Sequence, residues 1–174
     1  MGKDMILTNA GIQAVLNISW RNSKNVVKSY IKASSGLDID KPERSWCGDF
    51  AYWVLKESGI QPIPGLAKPV EGGWDTVSRF GALYTKFQPG EADPQPGDMY
   101  YMKYTTDAAK AAGGNGTNHV GFVVEFKSNS STFRSIDGNS GTNPAILVVG
   151  IGGGYVCYNN RNVALVDHFI RIPG

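Results

Sequence analysis

The sequence predicts an α+β domain in which N-terminal helices pack on an antiparallel β-sheet, and three observations carry that reading. Apolar residues recur at helical spacing through the first third of the chain, extended segments separated by Gly, Pro and Asn turns dominate the second half, and no repeat or clean linker divides the 174 residues. Helices first and strands afterwards is the order of an α+β domain with antiparallel pairing. The chain therefore reads as one domain, with a helical part over 1–40, a core bearing the motifs over 45–141 and a C-terminal β extension over 144–174.

Two helices are expected first, about Ala10 to Ile18 and Lys24 to Ala33. Val26, Val27, Tyr30 and Ile31 give the second an apolar stripe, and Ser34-Ser35-Gly36 ends it. Leu37 to Arg44 is a polar connection carrying Pro42. From Cys47 to Glu57 the residues Phe50, Ala51, Val54 and Leu55 recur at helical spacing, and Gly59 follows where a left-handed C-cap would stand. Pro62, Pro64 and Pro69 stiffen the loop from Gly59 to Gly73, and Trp74 to Phe80 reads as a short helix closed by Gly81. The period then changes. Pro94-Gln95-Pro96-Gly97-Asp98 is a turn, Met99 to Tyr104 a strand, and Ala112 to Asn118 a glycine-rich loop that delivers His119 to the head of a strand over Val120 to Phe126. Lys127 to Ser131 turns the chain into a third strand, Phe133 to Asp137, which runs into Gly138-Asn139-Ser140-Gly141. Ile146 to Val149 adds a short apolar segment, and a last hairpin joins Tyr155–Tyr158 to Val163–Ile172 through a turn over Asn159 to Asn162.

With 41% hydrophobic and 18% charged residues the composition is that of a soluble globular domain large enough to bury a core. Seventeen Lys and Arg against fifteen Asp and Glu give a formal charge of +2, and no basic run forms the patch that nucleic-acid binding would need. The longest apolar run, Ala145 to Val156, is broken by glycines and too short to span a bilayer. The start of the chain does not read as a signal peptide, since only Met5, Ile6 and Leu7 follow Lys3 and Asp4 before Thr8 and Asn9. A protein of this kind that acts outside its producer is expected to leave by another route or to be cut from a larger chain. Two cysteines cannot make a disulfide framework, and a bridge between Cys47 and Cys157 would consume the thiol at the helix start.

Cys47 is the sharpest feature. A thiol in the first turn of a helix feels the positive end of the dipole and nearby backbone N–H groups, both of which favour the nucleophilic thiolate. Such a cysteine needs a base and a group that orients the base. His119 follows a loop of glycines, where an imidazole can sit at the edge of a cleft. Asp137 and Asn139 lie at the end of the next strand, so a hairpin returns them to the end at which His119 begins. Either could accept from the imidazole and fix its tautomer.

These residues carry a family resemblance. SWCGDFAYWVL is similar to the cysteine motif of the CHAP family (cysteine, histidine-dependent amidohydrolase/peptidase). PQPGDMYYM resembles its Pro-Gly-Asp strand, NHVGFVVEF its His-Val-Gly strand and SIDGNSG its short acidic-Gly-Asn motif, while Trp74 to Gly81 resembles the Trp-containing helix before the Pro-Gly-Asp turn. The match runs in order over Ser45 to Gly141. It implies a papain-like fold and cleavage of peptidoglycan, either at the amide joining N-acetylmuramic acid to L-alanine or within the stem and cross-bridge peptides. It also implies Cys47 as nucleophile, His119 as base, and Asp137 and Asn139 as candidates to orient the imidazole; a shorter Asp where the family usually has Glu puts weight on Asn139. Gly48 departs from the Ala or Thr that the family more often carries there.

His168 reads as a structural residue and Cys157 as a core residue, both on C-terminal strands, and the histidines and cysteines show no zinc-type spacing, so neither a metal nor a cofactor is expected. Trp74, among glycines, and Trp46 are the candidates for substrate contact. The leading reading is a thiol hydrolase of bacterial cell-wall peptides, acting in the periplasm or on the wall as an antibacterial effector or phage lysin. The expected partners are a peptidoglycan stem peptide and, for an effector, a cognate immunity protein; no nucleic acid and no membrane span are expected, and a monomer is the default. One alternative keeps the site and changes the substrate, giving a papain-like toxin that cleaves or deamidates a protein in the target cell. Another is a wall-binding domain that has lost catalysis, against which Cys47, His119 and Asn139 together argue.

Overall fold

The computed structural model describes residues 2–38, 40, 46–60, 84–103, 118–140 and 154–174. Among the described residues three helices, α1 (Lys3–Val15), α2 (Trp20–Ser35) and α3 (Cys47–Glu57), precede six strands: β1 (Thr85–Phe87), β2 (Met99–Lys103), β3 (Asn118–Phe126), β4 (Thr132–Ser140), β5 (Tyr155–Asn162) and β6 (Val166–Arg171). The strands form one antiparallel sheet in the order β1-β6-β2-β3-β4-β5. This is the α+β arrangement that the order of helical and extended segments predicts, and it agrees with the papain-like fold that the family resemblance implies.

α1 starts earlier than expected, because Ile6 and Ala10, one helical turn apart, are both fully buried. It also stops earlier, because Asn17 takes a left-handed φ of 53° and turns the chain before Ile18. The Ser19 hydroxyl caps α2 by accepting the Asn22 N–H at 3.0 Å, and Gly36, at φ 73°, closes it. α3 has the expected bounds, and Gly59 follows in the left-handed region. Tyr30 of α2 joins the helices: its ring lies 5.3 Å edge-on from Phe50 and 5.0 Å from Trp53, and its hydroxyl donates to Gln13 Oε1 of α1 at 2.6 Å. The Ser34 hydroxyl donates to the buried Asp49 carboxylate, a second tie between α2 and α3.

The sheet buries both faces. On the helix side lie Met99, Val120, Phe122, Ile136 and Val156, packed with Phe50, Val54 and Leu55. On the other side Tyr100, Met102, Val123, Phe133 and Phe169 form a second cluster, with Phe133 edge-on to Phe169 at 5.6 Å. α3 lies against β3 and β4, and the contact is close at Gly138, where an added Cβ would stand 2.5 Å from Phe50 Cβ.

Two expectations about the C-terminal segment are corrected. The run Asn159 to Asn162 is strand, not turn, because its backbone continues the ladder with β4 from Ser135↔Asn159 to Thr132↔Asn162. β5 and β6 do not form a hairpin with each other: a 3-10 turn over Val163–Leu165, capped by the Asn162 side chain on the Ala164 N–H at 2.9 Å, carries the chain to the far side of β2, where β6 pairs with β2 and β1. The C-terminal segment is thus built into the sheet, and β1 is a strand that periodicity did not signal. The expected segments Trp74 to Phe80 and Ile146 to Val149 lie outside the described residues.

Candidate active site

Cys47 is the first residue of α3, where the chain enters the helix from Trp46 with φ −115° and ψ 16°, and the Phe50 N–H returns to the Trp46 carbonyl at 2.9 Å. The leading N–H groups of a helix have no intrahelical acceptor, so the thiol stands at a concentration of donors. It is fully buried and free of any disulfide. His119, the second residue of β3, is 9% exposed and shares a side-chain hydrogen bond with Cys47.

Asp137 completes the group. Along β4, Phe133, Ser135 and Asp137 share the face away from the helices, while Ile136 belongs to the helix-side core. The Asp137 carboxylate is fully buried, and its Oδ2 lies 3.7 Å from His119 Nε2. Donors converge on it from three strands. The Tyr100 hydroxyl of β2 donates to Oδ1; on Oδ2 converge the Ser135 hydroxyl at 3.1 Å, Asn159 Nδ2 at 2.8 Å and Arg161 Nη2 at 2.5 Å. Burial works to raise the Asp137 pKa, but Arg161, then His119 and Tyr100, outweigh it and hold the carboxyl well below the usual carboxylate range. Burial likewise opposes a charge on His119, yet Cys47 and Asp137 prevail and push its pKa up to about 9.

The structure thus brings Cys47, His119 and Asp137 together from α3, β3 and β4. Asn139 lies on the same strand with φ 53°, and its Oδ1 accepts the Gly154 N–H at 3.2 Å, tying β4 to the start of β5. Trp46 is corrected from a substrate contact to a core residue: it has no exposed surface and packs on Tyr30 with ring centroids 6.0 Å apart. Trp74 lies outside the described residues. His168 is buried, stacks on Tyr101 at 5.1 Å and has Nδ1 2.7 Å from Asp167 Oδ2. Cys157, expected in the core, is instead half-buried on the polar face of β5, where Asn159 Nδ2 approaches its sulfur at 3.4 Å.

Arg161 and Asn159 are the site residues that the sequence reading missed. The signal was a period of two: Cys157, Asn159 and Arg161 face the site and are half-buried, whereas Tyr158, Asn160 and Asn162 are exposed. Among the described residues no group of three or more His, Cys, Asp or Glu is placed to hold a metal ion, and no helix is long and apolar enough to cross a membrane. The acidic pair Asp38 and Asp40 meets the Lys28 ammonium at 2.8 and 2.9 Å.

The chain is similar to the crystal structure of a wild-type endolysin, LysIME-EF1, at 19% identity and a TM-score of 0.46, over 84% of this chain and 62% of that one. It therefore spans less than two thirds of that protein's length. Among curated proteins none matches. The CHAP domain family matches residues 39–139, more than half of the chain and all three of the converging residues. This chain belongs to the CHAP domain family.

Proposed function

We propose that the protein is a cysteine hydrolase that cleaves amide bonds of bacterial peptidoglycan. The observation that carries the reading is the convergence of a helix-start thiol, an imidazole hydrogen-bonded to it and a buried carboxylate 3.7 Å from the imidazole. A His119 pKa raised to about 9 keeps the imidazole protonated at neutral pH, the form that can later give its proton to a leaving nitrogen.

In this reading the Cys47 sulfur attacks the amide carbonyl, and the Cys47 N–H at the head of α3 helps to hold the oxyanion. As the tetrahedral intermediate collapses, the C–N bond breaks with its electron pair on nitrogen, and the His119 imidazolium gives that nitrogen its proton. The neutral imidazole then takes a proton from water, whose oxygen attacks the thioester; the acid leaves and Cys47 is released as thiolate with His119 protonated. Because Nε2 faces Asp137 and Arg161, Nδ1 is the nitrogen assigned to the sulfur. Asp137 is assigned the orienting role over Asn139, supported by its position beside Nε2 and by the Asn139 amide oxygen being engaged with Gly154.

The test is incubation of the protein and its Cys47→Ala variant with peptidoglycan sacculi, followed by mass spectrometry of the soluble fragments. Cys47-dependent release of peptides is expected, and fragment masses distinguish an N-acetylmuramoyl amidase from an endopeptidase. No release from several wall types by folded protein would overturn the peptidoglycan reading. An antibacterial effector or lysin acting on the wall extends the same chemistry; its test is toxicity on periplasmic but not cytoplasmic expression, and for an effector its relief by a cognate immunity protein.

A further inference from the structure

Asp137 Oδ2 is shared unequally. Arg161 Nη2 lies 2.5 Å from it, whereas His119 Nε2 lies 3.7 Å away, and the same Nη2 stands 3.2 Å from Nε2. A guanidinium only donates, so it cannot satisfy a protonated Nε2; the two N–H groups compete for one acceptor. Nη2 is also fixed from a third side, donating to Ser140 Oγ at 2.7 Å. Among the described residues, the groups that face the imidazole are Cys47 from α3, Tyr100 from β2 with ring centroids 6.3 Å apart, Asp137 from β4 and Arg161 from β5. With thiolate, imidazolium, carboxylate and guanidinium all charged, the four form two balanced pairs, and removing the guanidinium leaves a net negative charge around the imidazole.

We propose that Arg161 is a positioning residue of this site: by holding Asp137 Oδ2 and facing His119 Nε2, it limits how firmly the imidazolium keeps the proton that the leaving amine must receive. The proposal rests on the amide-cleaving reading above. An imidazolium paired with an unshared buried carboxylate would be a weaker acid, and C–N cleavage would slow at neutral pH. The cation beside Nε2 offsets that attraction.

The test follows the His119 imidazole by NMR titration in the wild type, Arg161→Gln and Arg161→Lys, with His119→Gln to assign the signal against His168. The midpoint is expected to rise by about one pH unit in Arg161→Gln and by less in Arg161→Lys, whose ammonium keeps the charge but cannot serve Oδ2 and Ser140 while facing Nε2. The alkaline limb of peptide release from sacculi should move in the same order. A midpoint in folded Arg161→Gln equal to or below that of the wild type overturns the proposal; should that variant not fold, an unshifted Arg161→Lys does so. The midpoint needs no substrate, so a protein inert on sacculi would sink the peptidoglycan reading while leaving the Arg161 result standing.

Discussion

Tyr100 and Asp137 meet across Gly121. Tyr100 of β2 is the register partner of Gly121 in β3, yet its hydroxyl passes over that residue to donate to Asp137 of β4. The passage is open only because Gly121 has no side chain: an added Cβ would fall on the Asp137 carboxylate. The glycine of the His-Val-Gly strand is thus explained by the carboxylate it makes room for, two residues from the imidazole that the carboxylate faces.

Gly121→Ala is therefore expected to displace Asp137 from His119 and Tyr100. Overpacking of this kind costs about 1–3 kcal/mol, so the variant should still fold, with its melting temperature lowered. Peptide release should fall by roughly 10²-fold, because a small misplacement of a group that aligns the base is felt at the chemical step. Wild-type turnover in folded Gly121→Ala would show that the carboxylate is not needed where it stands.

The two candidates for orienting His119 are separated by a matched pair of substitutions. Asp137→Asn removes the charge that Arg161, Tyr100 and His119 face, and takes the Asp137 countercharge from a largely buried guanidinium, a loss of about 3 kcal/mol in comparable buried pairs. Asn139→Gly removes the amide while suiting the left-handed backbone at φ 53°. Activity per folded molecule should drop on the order of 10²-fold or more in the first and by much less in the second. The reverse ranking would transfer the orienting role to Asn139.

The pH dependence follows from the directions of two shifts. His119 is raised from 6.5 to about 9, so the stability it contributes is fully present below pH 6.5 and is lost as the pH rises through 9. Asp137 is lowered from 3.8, so its contribution is present above pH 3.8 and is lost as the pH falls below it. Melting temperature should be highest between about pH 4 and 6.5 and decline on both sides. Burial opposes the His119 charge and Cys47 is the leading cause that favours it, so Cys47→Ala should bring the alkaline decline to lower pH. An alkaline edge that stays put in that variant would uncouple the thiol from the imidazole.

What was legible in the sequence was whatever a local signal encodes. Cys47 stands out because an apolar helix begins there, His119 because glycines precede its strand, and Asp137 because a hairpin must return it to the same end. Arg161 was hidden by competing propensities: Asn159-Asn160-Arg161-Asn162 has the composition of a turn, and the β4 ladder overrides it. Nothing local says that β5 lies beside β4 while β6 crosses to β2, so the cation beside the imidazole depends on sheet order, which pairing across the whole chain decides. The start of α1 was missed for a similar reason, since Ile6 becomes a core residue only through what packs on it.

Sheet order also gives the Pro-Gly-Asp turn a role apart from chemistry. Asp98 is fully buried, and the Lys3 ammonium reaches its Oδ1 at 2.5 Å while Arg171 Nε lies 2.9 Å from Oδ2. The Gln95 and Ile172 N–H groups also donate to it, at 2.8 and 3.3 Å. One carboxylate therefore ties α1 and the end of β6 to the turn ahead of β2, and Gly97 fits beneath because a Cβ there would meet Lys3 Cγ at 2.8 Å. Asp98→Ala would leave two part-buried cations and two N–H groups without their acceptor, a loss of about 3 kcal/mol, enough to lower the melting temperature by several degrees. Asp98→Asn keeps an acceptor oxygen and should lose less. None of these groups is among those facing His119, so turnover per folded molecule should stay near the wild-type value in both variants. Calorimetry paired with active-site titration of Cys47 separates the two quantities; a drop in turnover with unchanged melting would place Asp98 in the chemistry and end its assignment as a tie between distant parts of the chain.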